Sequence, residues 1–245
     1  MPRYILVHST ESTNSYLNKM ASILPSGTVI HTPNQTAGRG QRGNSWESEH
    51  GKNAIFSMLL KNPKIAIPQQ FYISEAVSLA VIDALSQYAD GFTIKWPNDI
   101  YHNNKKVCGI LIEHSIMGQS INYSILGLGI NVNQKQFLSD APNPISLSQI
   151  LGIDVPVEEV LHKTCEAIER RCAFENADTS YFEKLHREYL SHLYRNDGKE
   201  HSFALPNGTH FSAKIIEVEP SGMLILEDAD GGKKQYAFKE VSFII

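Results

Sequence analysis

The chain has 245 residues, 42% of them hydrophobic, and a formal net charge of -4 at pH 7. A chain of this length and composition can bury a large core, and its slight acidity gives no general attraction to nucleic acid or to anionic membranes. No apolar run approaches the length that spans a bilayer, and no signal peptide precedes the first strand, so the sequence predicts a cytoplasmic protein without a membrane partner. Its three cysteines form no CxxC pair, which predicts reduced structural thiols and no metal site.

The apolar pattern of the first two hundred residues predicts strands that are covered by helices. Strands are expected over residues 4–8, 28–31, 53–60, 93–96, 106–113 and 125–133, and helices from residue 12 and over 69–88, 157–172 and 181–193. Segment 53–60 is too apolar for an exposed edge and is expected at the centre of the sheet. Segment 93–96 is also expected to be a central strand, with Asn98 and Asp99 at the point where it leaves the sheet.

After Asn196 the pattern changes to short strands that are separated by Pro-Asn-Gly, Pro-Ser-Gly and Asp-Gly-Gly turns. These strands are expected over residues 201–205, 210–218, 223–227, 235–238 and 241–245. Short strands with regular turns are typical of a small all-β module. The sequence therefore predicts two domains, 1–196 and 197–245.

The segment from Gln35 to Trp46, QTAGRGQRGNSW, combines three glycines with Arg39 and Arg42 and has no apolar periodicity. Glycines let main-chain N–H groups approach a ligand closely, and guanidinium groups suit phosphate or carboxylate, so the segment predicts an anion-binding loop. A flexible surface loop with solvated arginines fits the composition equally well. The GxGxxG match is accidental, because no helix and no suitably spaced acid follow it.

Residues 9–14, STESTN, supply more hydroxyl and amide groups than the cap of the following helix needs, so some of them could line a small polar ligand. Lys106 opens the apolar strand KVCGILIE, where it either pairs with an anion or extends its amine to the rim of the sheet. Gly109 in that strand suggests the close approach of a flat ligand or of another backbone. In segment 125–133 the alternate positions are glycine and asparagine, which makes room for a small molecule.

Five motifs occur in the order, and at plausible spacing, in which they occur in the biotin protein ligases, and the chain resembles this family over nearly its whole length. They are Ser12-Thr13-Asn14, GRGQRG with Gln35 before it and Trp46 after it, KWPND, KVCGILIE and GLGINVN. The resemblance implies an α+β fold with a mixed or antiparallel sheet and covering helices, similar to class II synthetases. It also implies that the tail is a small SH3-like barrel.

The resemblance implies a biotin–[acetyl-CoA-carboxylase] ligase that acts in two steps. Biotin's carboxylate attacks the α-phosphate of ATP to give biotinyl-5′-AMP, and a lysine of a biotin carboxyl carrier protein then takes the biotinyl group. ATP and biotin are the expected substrates, Mg²⁺ is expected to arrive with ATP, and the protein is expected to be a monomer or a homodimer. Some relatives carry an N-terminal DNA-binding domain; here the motifs begin at Ser12, so no DNA partner is expected.

The resemblance also assigns residues to roles. For biotin these are Ser12, Thr13, Asn14, Gln35, Gly38, Arg39, Gly40, Gln41, Lys106 and Gly109. For ATP and the adenylate they are Arg39, Arg42, Trp46, Asn98, Lys106, Gly127, Gly129 and Asn131. Lys106, Arg39 and Asp99 are the implied catalytic residues, with Lys106 neutralising charge on the carboxylate and the phosphate. Some relatives carry arginine where this chain has Gln41, which puts a charged role at that position in doubt.

Three alternatives stay open. A lipoyl or octanoyl transferase shares the fold, although no RRxxGG-like signature is present. The Gly- and Arg-rich segment and the β tail could instead form a non-catalytic RNA-binding module, but aromatic stacking residues are sparse near the segment. The third alternative is a regulator that binds biotin without transferring it.

Overall fold

Three sheets and five α-helices make up the described part of the chain, residues 2–139 and 143–245 without the side chain of Arg42, in a computed structural model. The strands are β1 (Arg3–Leu6), β2 (Thr28–His31), β3 (Gly38–Arg39), β4 (Ser45–Trp46), β5 (Asn53–Lys61), β6 (Phe92–Lys95), β7 (Asp99–His102), β8 (Lys105–Met117), β9 (Ser120–Asn131), β10 (His201–Ala204), β11 (His210–Val218), β12 (Leu224–Asp228), β13 (Lys233–Tyr236) and β14 (Ser242–Phe243). The α-helices are α1 (Thr13–Met20), α2 (Phe71–Leu85), α3 (Leu147–Leu151), α4 (Val157–Arg171) and α5 (Thr179–Ser191). Short 3₁₀ turns cover Gln41–Gly43, Ile67–Gln69 and Phe174–Asn176.

The largest sheet has seven strands in the order β1-β2-β5-β9-β8-β7-β6. Strands β1 and β2 pair in parallel, and the other neighbours pair antiparallel, so the sheet is mixed and the predicted α+β fold is confirmed. The strand that begins at Asn53 is central, as predicted. The prediction that segment 93–96 is central is wrong, because β6 is the edge strand and Asn98 and Asp99 belong to its hairpin with β7.

The two faces of this sheet are covered differently. Leu126, Leu128 and Ile130 of β9 are buried on the face covered by α2, a helix with nearly every side chain inside the core. On the opposite face Leu17 of α1 packs against Ile125. Gly127 and Gly129 lie on this second face, so the alternation predicted from the sequence separates a packed face from a face with room for other groups.

The tail forms a five-stranded antiparallel sheet in the order β13-β12-β11-β10-β14, which confirms the small all-β module and is consistent with an SH3-like fold. The module packs against the large sheet. The indole Nε1 of Trp96 donates to the carbonyl of Gly222 at 3.0 Å, and the amide of Phe71 donates to the carbonyl of Pro220 at 3.3 Å. The domain division at residue 196 stays a prediction.

All three cysteines are buried and free, and burial raises the pKa of each thiol, which confirms structural thiols. None of the helices in the described ranges combines the length and the hydropathy needed to cross a bilayer.

Candidate active site

The candidate site lies on the sheet face that α1 covers. One row of cross-strand partners crosses four strands of this face: Lys95 pairs with Asp99, Asp99 with Gly109, and Gly109 with Gly129. Directly paired residues point to the same side of a sheet. The KWPND, KVCGILIE and GLGINVN motifs, which are apart in sequence, therefore meet on one surface.

Gly109 and Gly129 form a flat floor that the indole ring of Trp46 covers. A Cβ at Gly129 would lie 2.5 Å from the Trp46 Nε1, and a Cβ at Gly109 would lie 2.8 Å from its Cζ3, so neither position has room for a side chain. The flat group that Gly109 was expected to admit is, in this structure, the ring of Trp46. The Trp46 Nε1 is buried and has no hydrogen-bond partner among the described residues.

Trp46 is held over the floor by a small hairpin. Segment 35–46 was expected to be an anion-binding loop. Within it, Gly38 pairs with Trp46 across β3 and β4, and the amide of Gly40 donates to the carbonyl of Asn44 at 2.7 Å. Gly38 allows this close approach, because a Cβ there would overlap the carbonyl oxygen of Trp46. The side chain of Arg42 lies outside the described part of the structure, so its predicted ATP contact is not described.

A buried polar network occupies the other end of the floor. Ser12 caps α1, its hydroxyl accepting from the amide of Ser15 at 3.4 Å. The Oε1 of Gln35 accepts from the amide of Thr13 at 2.9 Å. The hydroxyl of Ser57 on β5 lies 2.7 Å from that of Thr13 and donates to the Oδ1 of Asn14 at 2.5 Å. The Ser12-Thr13-Asn14 motif at the start of α1 thus provides both a helix cap and a set of inward-facing polar groups.

Asn14 connects this network to Arg39 through Glu113. The Asn14 Nδ2 donates to the Glu113 Oε2 at 2.8 Å, and the Arg39 Nη2 forms an ion pair with the same oxygen at 2.9 Å. A Cβ at Gly127 would overlap the carboxamide of Asn14, lying 2.7 Å from its Cγ. The space beside Gly127, which the sequence predicted for a small molecule, is therefore occupied by the side chain of Asn14.

Lys106 points into the site and not to the rim of the sheet. Its Nζ lies 2.6 Å from the Asp99 Oδ1 and 5.5 Å from the centre of the Trp46 ring, and both side chains of the ion pair are about three-quarters buried, at 24% and 21% exposure. Asn131 supports the strand, because its Nδ2 donates to the carbonyls of Ile145 at 3.2 Å and of Lys106 at 3.5 Å. The Oδ1 of Asn131 is buried, and no hydrogen bond to it comes from residues 2–139 or 143–245.

Asn98 and Gln41 line a separate cavity of about 310 Å³ between the hairpin of β6 and β7, the start of α2 and the β module. The Nδ2 of Asn98 donates to the carbonyl of Ile110. Gln41 was grouped with the biotin residues, but the structure places it in the lining of this cavity and not in the network around Asn14.

Ser57 and Glu113 belong to the site but were not singled out from the sequence. A signal was available for both residues. Ser57 is the one hydroxyl inside the apolar segment NAIFSMLL, and Glu113 ends the apolar segment KVCGILIE. Buried polar groups need hydrogen-bond partners, so each residue predicts a polar contact. Within the described ranges, no three His, Cys, Asp or Glu residues form a group that could hold a metal ion.

A family model described as the biotin/lipoate A/B protein ligase family matches residues 6–131, which is 126 of the 245 residues. The chain is 31% identical to a biotin–[acetyl-CoA-carboxylase] ligase of Paracoccus denitrificans, over 91% of this chain and 93% of that protein. It is also 31% identical to the bifunctional ligase/repressor BirA of Bacillus subtilis, over 97% of this chain and 73% of that protein.

Among solved structures, the biotin protein ligase of Aquifex aeolicus in complex with biotin and ATP is similar to this chain with a TM-score of 0.79. The two chains are 27% identical, and the match covers 99% of this chain and 98% of the Aquifex chain.

Proposed function

The chain belongs to the biotin/lipoate A/B protein ligase family, and we propose that it activates biotin with ATP and transfers it to a lysine of a biotin carboxyl carrier protein. One observation carries the proposal. A buried polar network around Asn14 and an ion pair formed by Lys106 and Asp99 lie at opposite ends of one glycine floor. A substrate with a polar ring and a carboxylate tail, joined to a nucleotide, needs such a two-ended site.

The network suits the ureido ring of biotin, which carries one carbonyl acceptor and two N–H donors. Thr13, Asn14, Gln35 and Ser57 offer hydroxyl and carboxamide groups of both kinds, and their mutual hydrogen bonds fix their orientation before a ligand arrives. Because the network is already connected, a bound ring gains hydrogen bonds without ordering several free side chains.

In the first step an oxygen of biotin's carboxylate bonds to the α-phosphorus of ATP, and the bond from that phosphorus to the bridging oxygen breaks, with the electron pair leaving on pyrophosphate. Lys106 lies where a cation would neutralise both the carboxylate and the α-phosphate, and its ion pair with Asp99 holds the amine in place. Asp99 offers carboxylate oxygens that would fit a magnesium ion carried on the phosphates.

In the second step the neutral amine of the acceptor lysine attacks the acyl carbon of biotinyl-5′-AMP, and AMP leaves. The hairpin that carries Arg39 and Trp46 would cover the intermediate and keep water away from it. Arg39 can exchange its partner Glu113 for the adenylate's phosphate, because both are anions and the ion pair is roughly half exposed. The cytoplasmic location and the monomeric or homodimeric state stay predictions.

The first alternative is an enzyme that acts on lipoate or octanoate instead of biotin, and the other two catalyse no reaction. The named relatives above are biotin ligases, which favours biotin over lipoate or octanoate. An RNA-binding module would not require a lysine and an aspartate paired at 2.6 Å beside a glycine floor.

The protein should be incubated with labelled ATP and either biotin, lipoate or octanoate, and pyrophosphate release and transfer to a carrier domain should be scored. We expect pyrophosphate release and transfer to the carrier domain with biotin, and neither with lipoate or octanoate. Release with octanoate or lipoate would favour the transferase alternative, and biotin binding without release would favour a regulator. Lys106→Ala should slow pyrophosphate release with biotin, and Lys105→Ala is its matched control, because Lys105 is exposed at the start of the same strand.

A further inference from the structure

We propose that Lys95 binds the β- and γ-phosphates of ATP and holds the pyrophosphate that leaves when biotin is activated. This inference rests on the proposed function and adds a residue to it. Lys95 is the last residue of the row that runs from Gly129 through Gly109 and Asp99 to the sheet edge. It therefore shares the face on which the reaction is proposed to occur.

Among residues 2–139 and 143–245, no carboxylate oxygen lies within 4.0 Å of the Lys95 Nζ. Its contacts are aromatic: the Nζ lies 5.5 Å from the centre of the Tyr101 ring and 5.1 Å from that of Phe243. Tyr101 is fully buried, and Phe243 belongs to β14 of the β module. A partly buried cation whose near contacts are ring faces gains from an arriving anion.

The local charges also favour an anion. Asp99 is the cross-strand neighbour of Lys95, but its carboxylate is already paired with Lys106 at 2.6 Å. Two lysines and one aspartate leave one positive charge unbalanced on this part of the face. Burial lowers the pKa of Lys95, and the charge of Asp99 opposes this effect. Phosphate oxygens beside the amine would stabilise its charged form.

The position of Lys95 matches the direction in which the leaving group moves. The network around Asn14 contacts Gly127 of β9, whereas Lys95 lies on β6, two strands beyond β8 and about 10 Å across the sheet from Gly109. In an in-line displacement the attacking and leaving oxygens lie on opposite sides of the α-phosphorus. With biotin's ring at the β9 end, pyrophosphate departs toward β6.

Lys95 neutralises charge without transferring a proton. The bond between the α-phosphorus and the bridging oxygen breaks, its electron pair stays on that oxygen, and pyrophosphate gains one negative charge near the ammonium. In the reverse direction the same ammonium helps to bind pyrophosphate when it attacks the α-phosphorus of biotinyl-5′-AMP. The transfer of biotin to a lysine involves no pyrophosphate, so Lys95 has no role in that step.

The test separates these two half-reactions. In the first assay, biotin-dependent exchange of labelled pyrophosphate into ATP is measured against pyrophosphate concentration. In the second, supplied biotinyl-5′-AMP transfers biotin to a carrier domain in a single turnover. Lys95→Met keeps a long apolar side chain against both rings but removes the charge, Lys95→Arg keeps the charge, and Lys105→Met is the control at an exposed lysine.

Lys95→Met is expected to raise the pyrophosphate concentration for half-maximal exchange by about tenfold or more, which is the effect of losing one charged phosphate contact, and to leave transfer within about twofold. Lys95→Arg should stay within a few-fold of wild type, and Lys105→Met should match wild type. Unchanged exchange in Lys95→Met, or an equal fall of exchange and transfer, would overturn the proposal. Absence of biotin-dependent exchange in the wild-type protein would instead overturn the proposed function.

A measurement on the wild-type chain covers the case in which Lys95→Met does not fold. Pyrophosphate should slow the acetylation of Lys95 by an amine-reactive reagent, as mapped by mass spectrometry, and should leave Lys105 unaffected. Equal acetylation of Lys95 with and without pyrophosphate would contradict the assignment.

Discussion

Replacing Gly127 by alanine should weaken both the fold and biotin binding, because the new methyl group would enter the carboxamide of Asn14. The added Cβ would lie 2.7 Å from the Asn14 Cγ and 2.9 Å from its Nδ2, inside the 3.0 Å that Cβ atoms keep from their neighbours. The Asn14 carboxamide cannot move away without breaking hydrogen bonds. Its Oδ1 accepts from Ser57 at 2.5 Å, and its Nδ2 donates to Glu113 at 2.8 Å and to the carbonyl of Leu111 at 3.2 Å.

The size of the effect follows from these contacts. Displacing a buried amide from its partners costs about 1–3 kcal/mol, and overpacking a core position costs about 1–3 kcal/mol. Because the two effects overlap, Gly127→Ala should lower the free energy of unfolding by roughly 1–5 kcal/mol. In a chain of this size that corresponds to a fall in Tm of roughly 2–20 °C.

Urea unfolding gives the stability, and isothermal titration with biotin gives the affinity. The decisive control is the double-mutant cycle with Asn14→Ala, which removes the group that the methyl would strike. On that background Gly127→Ala should change the stability by less than about 0.5 kcal/mol. Additive effects of the two substitutions would show that the contact between Asn14 and Gly127 is not the cause.

Three further predictions concern other parts of the site and fold. Lys106→Ala should slow adenylate formation by roughly 10²–10³ with little loss of biotin affinity, and a change below about threefold in pre-steady-state adenylate formation would refute its role. Residues 38–44 should gain hydrogen-exchange protection when biotinyl-5′-AMP binds, since the adenylate replaces missing packing contacts; equal protection would contradict this. The hydrogen bond with Glu75, assisted by Glu217, raises the pKa of His186 to about 9, so its stabilisation is complete below about pH 6.5 and is lost as pH rises through 9. Wild type should lose more stability between pH 7 and 9.5 than His186→Gln, as measured by urea unfolding, and parallel pH profiles would argue against a charged histidine.

Much of the fold could be predicted because its strands carry strong patterns. Segment 53–60 is almost wholly apolar and lies at the centre of the sheet, and alternate glycines in β9 mark the face with room for other groups. The prediction for segment 93–96 was wrong because its apolar residues are buried by a helix end and by the β module, and not by a strand on each side. Ile94 forms a bridge with Leu193 after α5, and Trp96 packs against Gly222 of the β module.

The site could be predicted only in part. The motifs identify Lys106, Asp99 and the polar residues at the start of α1, because unusual polar groups beside apolar strands are visible in the sequence. Which groups meet depends on long-range packing. The indole of Trp46 lies on Gly109, 63 positions later in the chain, and no local pattern connects the two residues. The position of Gln41 was also not visible in the sequence. It lies in the turn of the hairpin and lines a different cavity from the other residues of its motif.

The central claim is most directly tested by following biotinyl-5′-AMP itself. The protein is mixed with labelled biotin and ATP, quenched over time and analysed for the adenylate, first alone and then after addition of a carrier domain or of the same domain with its acceptor lysine replaced by arginine. We expect the adenylate to accumulate on the protein and to decay, with stoichiometric labelling, only when the acceptor lysine is present. Failure to form biotinyl-5′-AMP in a folded protein that binds biotin and ATP, or equal decay with the arginine-substituted domain, would contradict the assignment of this chain as a biotin protein ligase.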